Sequence, residues 1–316
     1  MKTYKMLDPV YSPPDILFTK VQTLTNTFNL QTLPFHIHEI LFAFCFYYTI
    51  DIYVSQIVSC RLFPRTYTSL SHSNKINWNI HFVSFVQSTL ICTLALWLIR
   101  TDEERSNMDW TGRIWGYTGA GGLVQAFAMG YFLWDLMASV VHFDILGWSS
   151  LIHALCALLV VGIGFRPFAN YYGQNFVLYE LSTPFLNIHW FFDKLNMTGS
   201  KAQLYNGIIL LLTFFSCRLV WGIYQSAKLY QDIWGAFHTP TISVPEFKSP
   251  GGPEWDIFRF SRGSEELALP IWLAWGYLGT NTILTLLNIY WFKQMISAVF
   301  KRFSRNEKVS RADKRE

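Results

Sequence analysis

The stretch LYELSTPFLNIHWFFDK, residues 178–194, is apolar enough for lipid, yet it carries Glu180, Asn187 and His189 around Pro184. A charged side chain at mid-bilayer costs about 2.5–3.5 kcal/mol on insertion scales, so those that persist usually face a bundle interior. On one helix Glu180, Thr183 and Asn187 share a face, while Ser182 and His189 point roughly the opposite way. Pro184 has no N–H to donate to the carbonyl of Glu180 four residues back, so a kink is expected there. Irregular backbone at membrane depth is tolerated where protein or a wet cavity covers it. Glu180 is therefore expected on the wall of an internal chamber.

Other scarce polar groups fall into stripes of the same kind. Asp135, Ser139 and His142 lie at i, i+4 and i+7, as do His81, Ser84 and Ser88. His153 follows Ser149 by one turn, and Asn281, Thr285 and Asn288 form a further stripe. Two readings stand beside each other. Polar residues between membrane helices often only join them, and this serves for Asn187, Ser84, Asn281 and Arg218. His81 and His189 are near span ends and could reach the interface, while His36, His38 and His72 are expected outside the spans and solvated. Asp135, His153 and Glu180 are equally open to packing and to chemistry.

The elements that must position these groups are membrane helices. The chain is 51% hydrophobic, 18% aromatic and only 15% charged, where a soluble domain carries about 25% charged residues. Seven segments are long enough to cross about 30 Å of hydrocarbon. They lie near 39–60, 79–99, 122–141, 149–166, 171–191, 203–224 and 268–292. Residues 15–30 read either as an amphipathic interfacial helix or as a disordered lead. Short connectors at 142–148 and 167–170 force antiparallel neighbours, and residues 225–266 read as an extramembrane loop containing SPGGPEWD. The tail after residue 292 holds eight Lys/Arg against three acids, a cytosolic pattern rather than a nucleic-acid-binding one. With seven spans, the sequon Asn196-Met197-Thr198 then faces the cytosol and stays unused.

Several chemistries lack their residues. The five cysteines form no CxxC pair, which leaves neither a disulfide framework nor a zinc ribbon. There is no HExxH helix, no glycine-rich phosphate loop with a lysine and no GxSxG elbow. The histidines are too scattered for a di-iron box, so no metal or bound cofactor is expected. Gly119-Ala120-Gly121-Gly122 reads as a helix start or packing site.

Taken in order, several pieces resemble the TLC-domain family of ceramide synthases, TRAM-type translocon proteins and small TLC-only proteins. They are Trp78-Asn79 with Val83-Ser84, Gly130-Tyr131 with Asp135, Ile152-His153, Glu180 through Asn187 in ELSTPFLN, and Arg218. ELSTPFLN is most similar to the small TLC-only branch. The resemblance implies a TLC domain of six helices over 77–298, preceded by a polar segment (1–38) and a first span with its loop (39–76), and followed by a basic tail (299–316). It implies an acyl-chain-sized chamber and, in ceramide synthases, acyl transfer from acyl-CoA by paired histidines and aspartates. Here Ile152 stands at the first histidine and His153 at the second, Glu180 and Thr183 at the two aspartates, Gln87 at a further histidine and His189 at an arginine.

The chain is thus expected to be an all-α polytopic membrane protein with about seven helices around a lipid-sized chamber, in the endoplasmic reticulum or Golgi. The leading reading is a protein of lipid homeostasis that binds or senses a lipid or acyl chain, with His142, Thr183, Asn187, His189 and Arg218 as contacts. The alternative is an acyltransferase using acyl-CoA, in which His153 is base or acyl carrier, Glu180 orients it and Asp135 tunes the site.

Overall fold

The computed structural model describes residues 13–238 and 269–313. Every regular element among them is helical. In chain order these are α1 (Asp15–Phe28), α2 (Leu33–Leu62), α3 (Pro64–Ser69), α4 (His72–Thr101), α5 (Glu103–Ser106) and α6 (Trp110–Trp115). They continue as α7 (Gly119–Val141), α8 (Phe143–Gly164), α9 (Asn170–Val177), α10 (Thr183–Lys194), α11 (Lys201–His238) and α12 (Ile271–Asp313).

Helix starts follow from local side-chain chemistry. Ser71, Asp102, Asp109, Thr118 and Ser200 each accept a hydrogen bond from a backbone N–H in the first turn of the helix that follows, which stabilises each start by roughly 0.5–2 kcal/mol. Thr118 makes Gly119-Ala120-Gly121-Gly122 the opening of α7. Asn29, in the left-handed region at φ 56°, ends α1. Phe18 on α1 meets Phe35 on α2 edge-on at 5.0 Å, so the lead over 15–30 is a docked helix.

Five of these segments are long and apolar enough to cross a membrane: α2, α4, α6 with α7, α8 and α11. Two of the seven expected spans differ. The segment over 171–191 is not one helix, because a 3₁₀ turn at Leu178–Ser182 divides α9 from α10. Its pieces of 8 and 12 residues each fall short of about 30 Å at 1.5 Å per residue. Helix α12 has the length, 43 residues, but Asn281 and Asn288 dilute its apolar character.

Two further expectations are corrected, while the connector at 142–148 is only refined: Phe143 opens α8 with a short turn that Gly147, at φ 71°, breaks from the rest. Residues 225–238 belong to α11, while residues 239–268, with SPGGPEWD, lie outside the described residues. His36 and His38 lie inside α2, and His36 is fully buried. Its Nδ1 is 2.7 Å from Glu39 and its Nε2 bonds the Tyr117 hydroxyl. The tail is helical to Asp313, with residues 314–316 outside the described set.

Helices α2, α7 and α8 pack side by side, α4 lies along α10, and α12 lies along α8. At Gly130 a Cβ would stand 2.5 Å from Ala43 Cβ and 2.8 Å from the Ile40 carbonyl oxygen. Glycine is what lets α2 and α7 touch, the usual device for packing helices that lipid does not push together.

Candidate functional site

The break before α10 builds the site. Pro184 sits in the first turn of α10, where its missing N–H costs nothing. The preceding residues are wound as a 3₁₀ turn, so the proline starts a helix rather than kinking one. This changes which side chains meet. At three residues per turn, Ser182 no longer opposes Glu180 but turns toward the same partner, Arg218.

Arg218 comes from α11, inside the π-helical turn Phe215–Trp221, a widening that is frequent at functional sites. It is buried. Its Nε donates to the Tyr179 carbonyl at 2.9 Å and to Ser182 Oγ at 3.1 Å. Nη1 donates to Asn288 Oδ1 at 3.0 Å, and Nη2 to Thr183 Oγ1 at 3.0 Å and Glu180 Oε1 at 3.4 Å. The ring of Phe214 lies 5.0 Å from the guanidinium carbon. Only a planar fork of fixed donors can serve this many acceptors at once. The guanidinium thereby covers a main-chain oxygen at the helix break and balances the Glu180 carboxylate.

A cavity of about 90 Å³ opens beside this cluster, where one water needs about 10–15 Å³. Its walls come from α4, α7, α8, α9 with the 3₁₀ turn, α11 and α12. Apolar side chains such as Val124, Ala128, Phe132, Val161 and Leu284 make the greater part, and Gln87, His153, Glu180, Arg218, Asn281 and Asn288 supply polar groups. Further polar groups come from Gln125, Asn170 and Gln174, which bond one another and the Val161 and Gly121 carbonyls.

Of the residues singled out in the sequence, His153, Glu180 and Arg218 share this wall. The His153 ring meets Trp291 at 5.4 Å and Phe132 at 6.2 Å, both edge-on. Its Nδ1 is buried with no hydrogen-bond partner among the described residues. Glu180 is in electrostatic range of the ring, as is Arg218, but the bond that Glu180 makes is to Arg218. Thr183 stands behind Arg218 and is held by it. Asp135 lies outside the cavity wall but in electrostatic range of Glu180.

Three residues go elsewhere. Asn187 accepts from or donates to α4, with Oδ1 2.7 Å from His81 Nδ1 and Nδ2 donating to Ser84 Oγ at 3.1 Å. It joins two helices, and His81 stacks on Trp190 at 4.2 Å instead of reaching the interface. His189 lies against Gly207 of α11. His142 follows the last turn of α7, near Asp51, whose Oδ2 accepts from Trp134 Nε1 at 3.3 Å.

The sequence reading missed Asn281 and Asn288 as cavity residues, although their stripe was visible. Gln87 was visible only as a departure from a family histidine, and Ser182 was assigned to the wrong face. No group of three or more His, Cys, Asp or Glu side chains among the described residues is placed to hold a metal ion.

Comparison with known proteins gives the family of the chain. The TLC domain profile matches residues 77–297. The chain is similar to a TLC domain-containing protein of Schizosaccharomyces pombe, 34% identical over 89% of this chain and 85% of the relative. It is also similar to topoisomerase I damage affected protein 4 of Saccharomyces cerevisiae, 28% identical over 94% of this chain and 95% of the relative. TLC domain-containing protein 4 of Homo sapiens is 31% identical over 53% of this chain and 63% of the relative. A match that begins at α4, ends within α12 and takes in each wall of the cavity leaves one assignment: the chain belongs to the TLC-domain family.

Proposed function

We propose that this TLC-family chain is an endomembrane protein of lipid homeostasis that holds a lipid or fatty-acyl chain in an intramembrane chamber. About seven membrane-crossing segments would surround that chamber if the α9–α10 pair and α12 complete the five apolar spans. The observation that carries the reading is the cavity itself. Its wall is mostly apolar and also presents polar groups, among them His153, Glu180, Arg218 and Gln87, as a ligand with a tail and a head would need. The ligand would come from the membrane of the endoplasmic reticulum or Golgi, with the C-terminus cytosolic and no nucleic acid involved. Native mass spectrometry of the detergent-purified protein tests this: a defined lipid should remain bound through mild activation. Protein that is lipid-free throughout, and that takes up none from mixed micelles, would end the reading.

A second reading rests on the buried Nδ1 of His153, which has no partner among the described residues. In an acyltransferase it would take the proton of a lipid hydroxyl or amine as that group attacks an acyl-CoA thioester, and give it to the CoA thiolate that leaves as the C–S bond breaks. Glu180 would act on the ring through the field it shares with Arg218. With Ile152 at the family's first histidine, His153 is the imidazole left for acyl chemistry. His153→Ala and Glu180→Ala should then each abolish a cellular lipid product at unchanged protein abundance. A wild-type lipid profile in both variants removes the enzyme.

A further inference from the structure

The cavity wall carries charge of both signs, and the two charges face each other. Glu180 and Arg218 are the carboxylate and guanidinium of the wall, and they pair with each other at 3.4 Å. Arg218 also serves Tyr179, Ser182, Thr183 and Asn288. A phosphate or carboxylate entering the cavity would have to displace these bonds or remain an unpaired charge in a low-dielectric site, which costs several kcal/mol per ion. A cation would have to compete with Arg218 for the carboxylate of Glu180.

What the wall has left over is uncharged. Gln87 is 1% exposed and Asn281 3% exposed. Gln87 Oε1, Asn281 Oδ1 and His153 Nδ1 are buried without a hydrogen-bond partner among the described residues, and all three residues line the cavity. Buried polar atoms are nearly always satisfied in native proteins, so three orphans on one cavity call for a partner that enters it. Each of the two amides carries an acceptor oxygen and an NH2 donor, and a neutral imidazole nitrogen accepts or donates by its tautomer, so their complement is a neutral group that does both, such as a hydroxyl.

We infer that the cavity selects an uncharged, hydroxyl-bearing lipid, hydrogen-bonded by Gln87, Asn281 and His153, and rejects lipids whose headgroup is ionic. This rests on the lipid-binding reading above and narrows it to a chemical class.

The test uses the full chain, delipidated in detergent and offered three ligands of equal tail length in separate micelles. These are a diacylglycerol, the phosphatidic acid with the same acyl chains, and a long-chain primary amine; retention is read by native mass spectrometry. Diacylglycerol should be retained at least about tenfold better than either charged lipid, a ratio equivalent to about 1.4 kcal/mol. Gln87→Leu and Asn281→Leu should each lower its retention by several-fold. As a control for folding, they should leave the chain monodisperse. Preference for phosphatidic acid or the amine overturns this inference and leaves lipid binding standing. Unchanged retention in both leucine variants overturns it too. Failure to retain any of the three, with no lipid copurifying, removes both readings.

Discussion

Replacing Arg218 by methionine keeps an unbranched apolar stem and removes the guanidinium with its charge and all its donors. Five acceptors lose their partner at once: the Tyr179 carbonyl, Ser182, Thr183, Asn288 and Glu180. Four are uncharged, and hydrogen bonds between membrane helices average only about 0.6 kcal/mol each in double-mutant cycles, so together they contribute about 2 kcal/mol. The fifth leaves a buried carboxylate uncompensated, and breaking such a pair from one side costs about 3–5 kcal/mol. The sum is about 5–7 kcal/mol, reduced to the extent that Glu180 takes up a proton. Unfolding in mixed micelles by titrated denaturing detergent, with bilayer-mimetic background held fixed, measures this. Arg218→Met should lose most of that amount, and Glu180→Gln alone much less, because glutamine can still accept at 3.4 Å. The double variant should recover about 2–4 kcal/mol relative to Arg218→Met, since no charge remains to be neutralised. A loss under about 1 kcal/mol for Arg218→Met, or strict additivity in the double variant, would refute the idea that Arg218 balances Glu180 and closes the helix break.

Other outcomes follow from particular contacts. Gly130→Leu should separate α2 from α7 and destabilise the protein by about 1–3 kcal/mol, because a Cβ alone already stands 2.5 Å from Ala43; disulfide cross-linking of cysteines introduced at that crossing should slow. Asp232→Asn should loosen α6 from α11, since Asp232 binds Arg113 at 2.7 and 2.9 Å and accepts the Tyr172 hydroxyl at 2.5 Å; limited proteolysis between residues 102 and 118 should accelerate, and unchanged cleavage would count against this clasp. Asn187→Leu should leave His81 and Ser84 without their partner across α4 and α10 at a cost of about 1–2 kcal/mol, and should leave lipid retention in the cavity unaltered. Asn196, in the turn between α10 and α11, should carry no glycan if the C-terminus is cytosolic. A mobility shift on endoglycosidase treatment would invert the orientation.

Much of the fold was legible in the chain because its determinants are local. A run of about twenty apolar residues satisfies its backbone only as a helix in lipid, so five spans can be placed from hydropathy alone. Capping residues such as Thr118 and the interruption at Pro184 are equally local. The family resemblance rested on the same ordered pieces, and it reached His153, Glu180 and Arg218 before any contact was known.

The interior was a different matter. In a soluble helix the apolar face marks the core, but lipid is as apolar as leucine, so hydropathy does not tell a lipid-facing side from a packed one. Helix α8 shows the difficulty: it is apolar throughout, yet only 11% of its most apolar window is buried inside the protein. His36 looked solvated and is fully buried, because α2 begins before it and Tyr117 arrives from 81 residues away. The 3₁₀ turn at Leu178–Ser182 rotated Ser182 onto Arg218 against the expectation of a regular helix. Composition, spans and the scarcity of ionisable groups belonged to the sequence by itself. Which of those groups meet was decided only by tertiary packing, because the partners of Arg218 lie 35 to 70 residues away, and nothing in local periodicity relates one helix's rotation to another's.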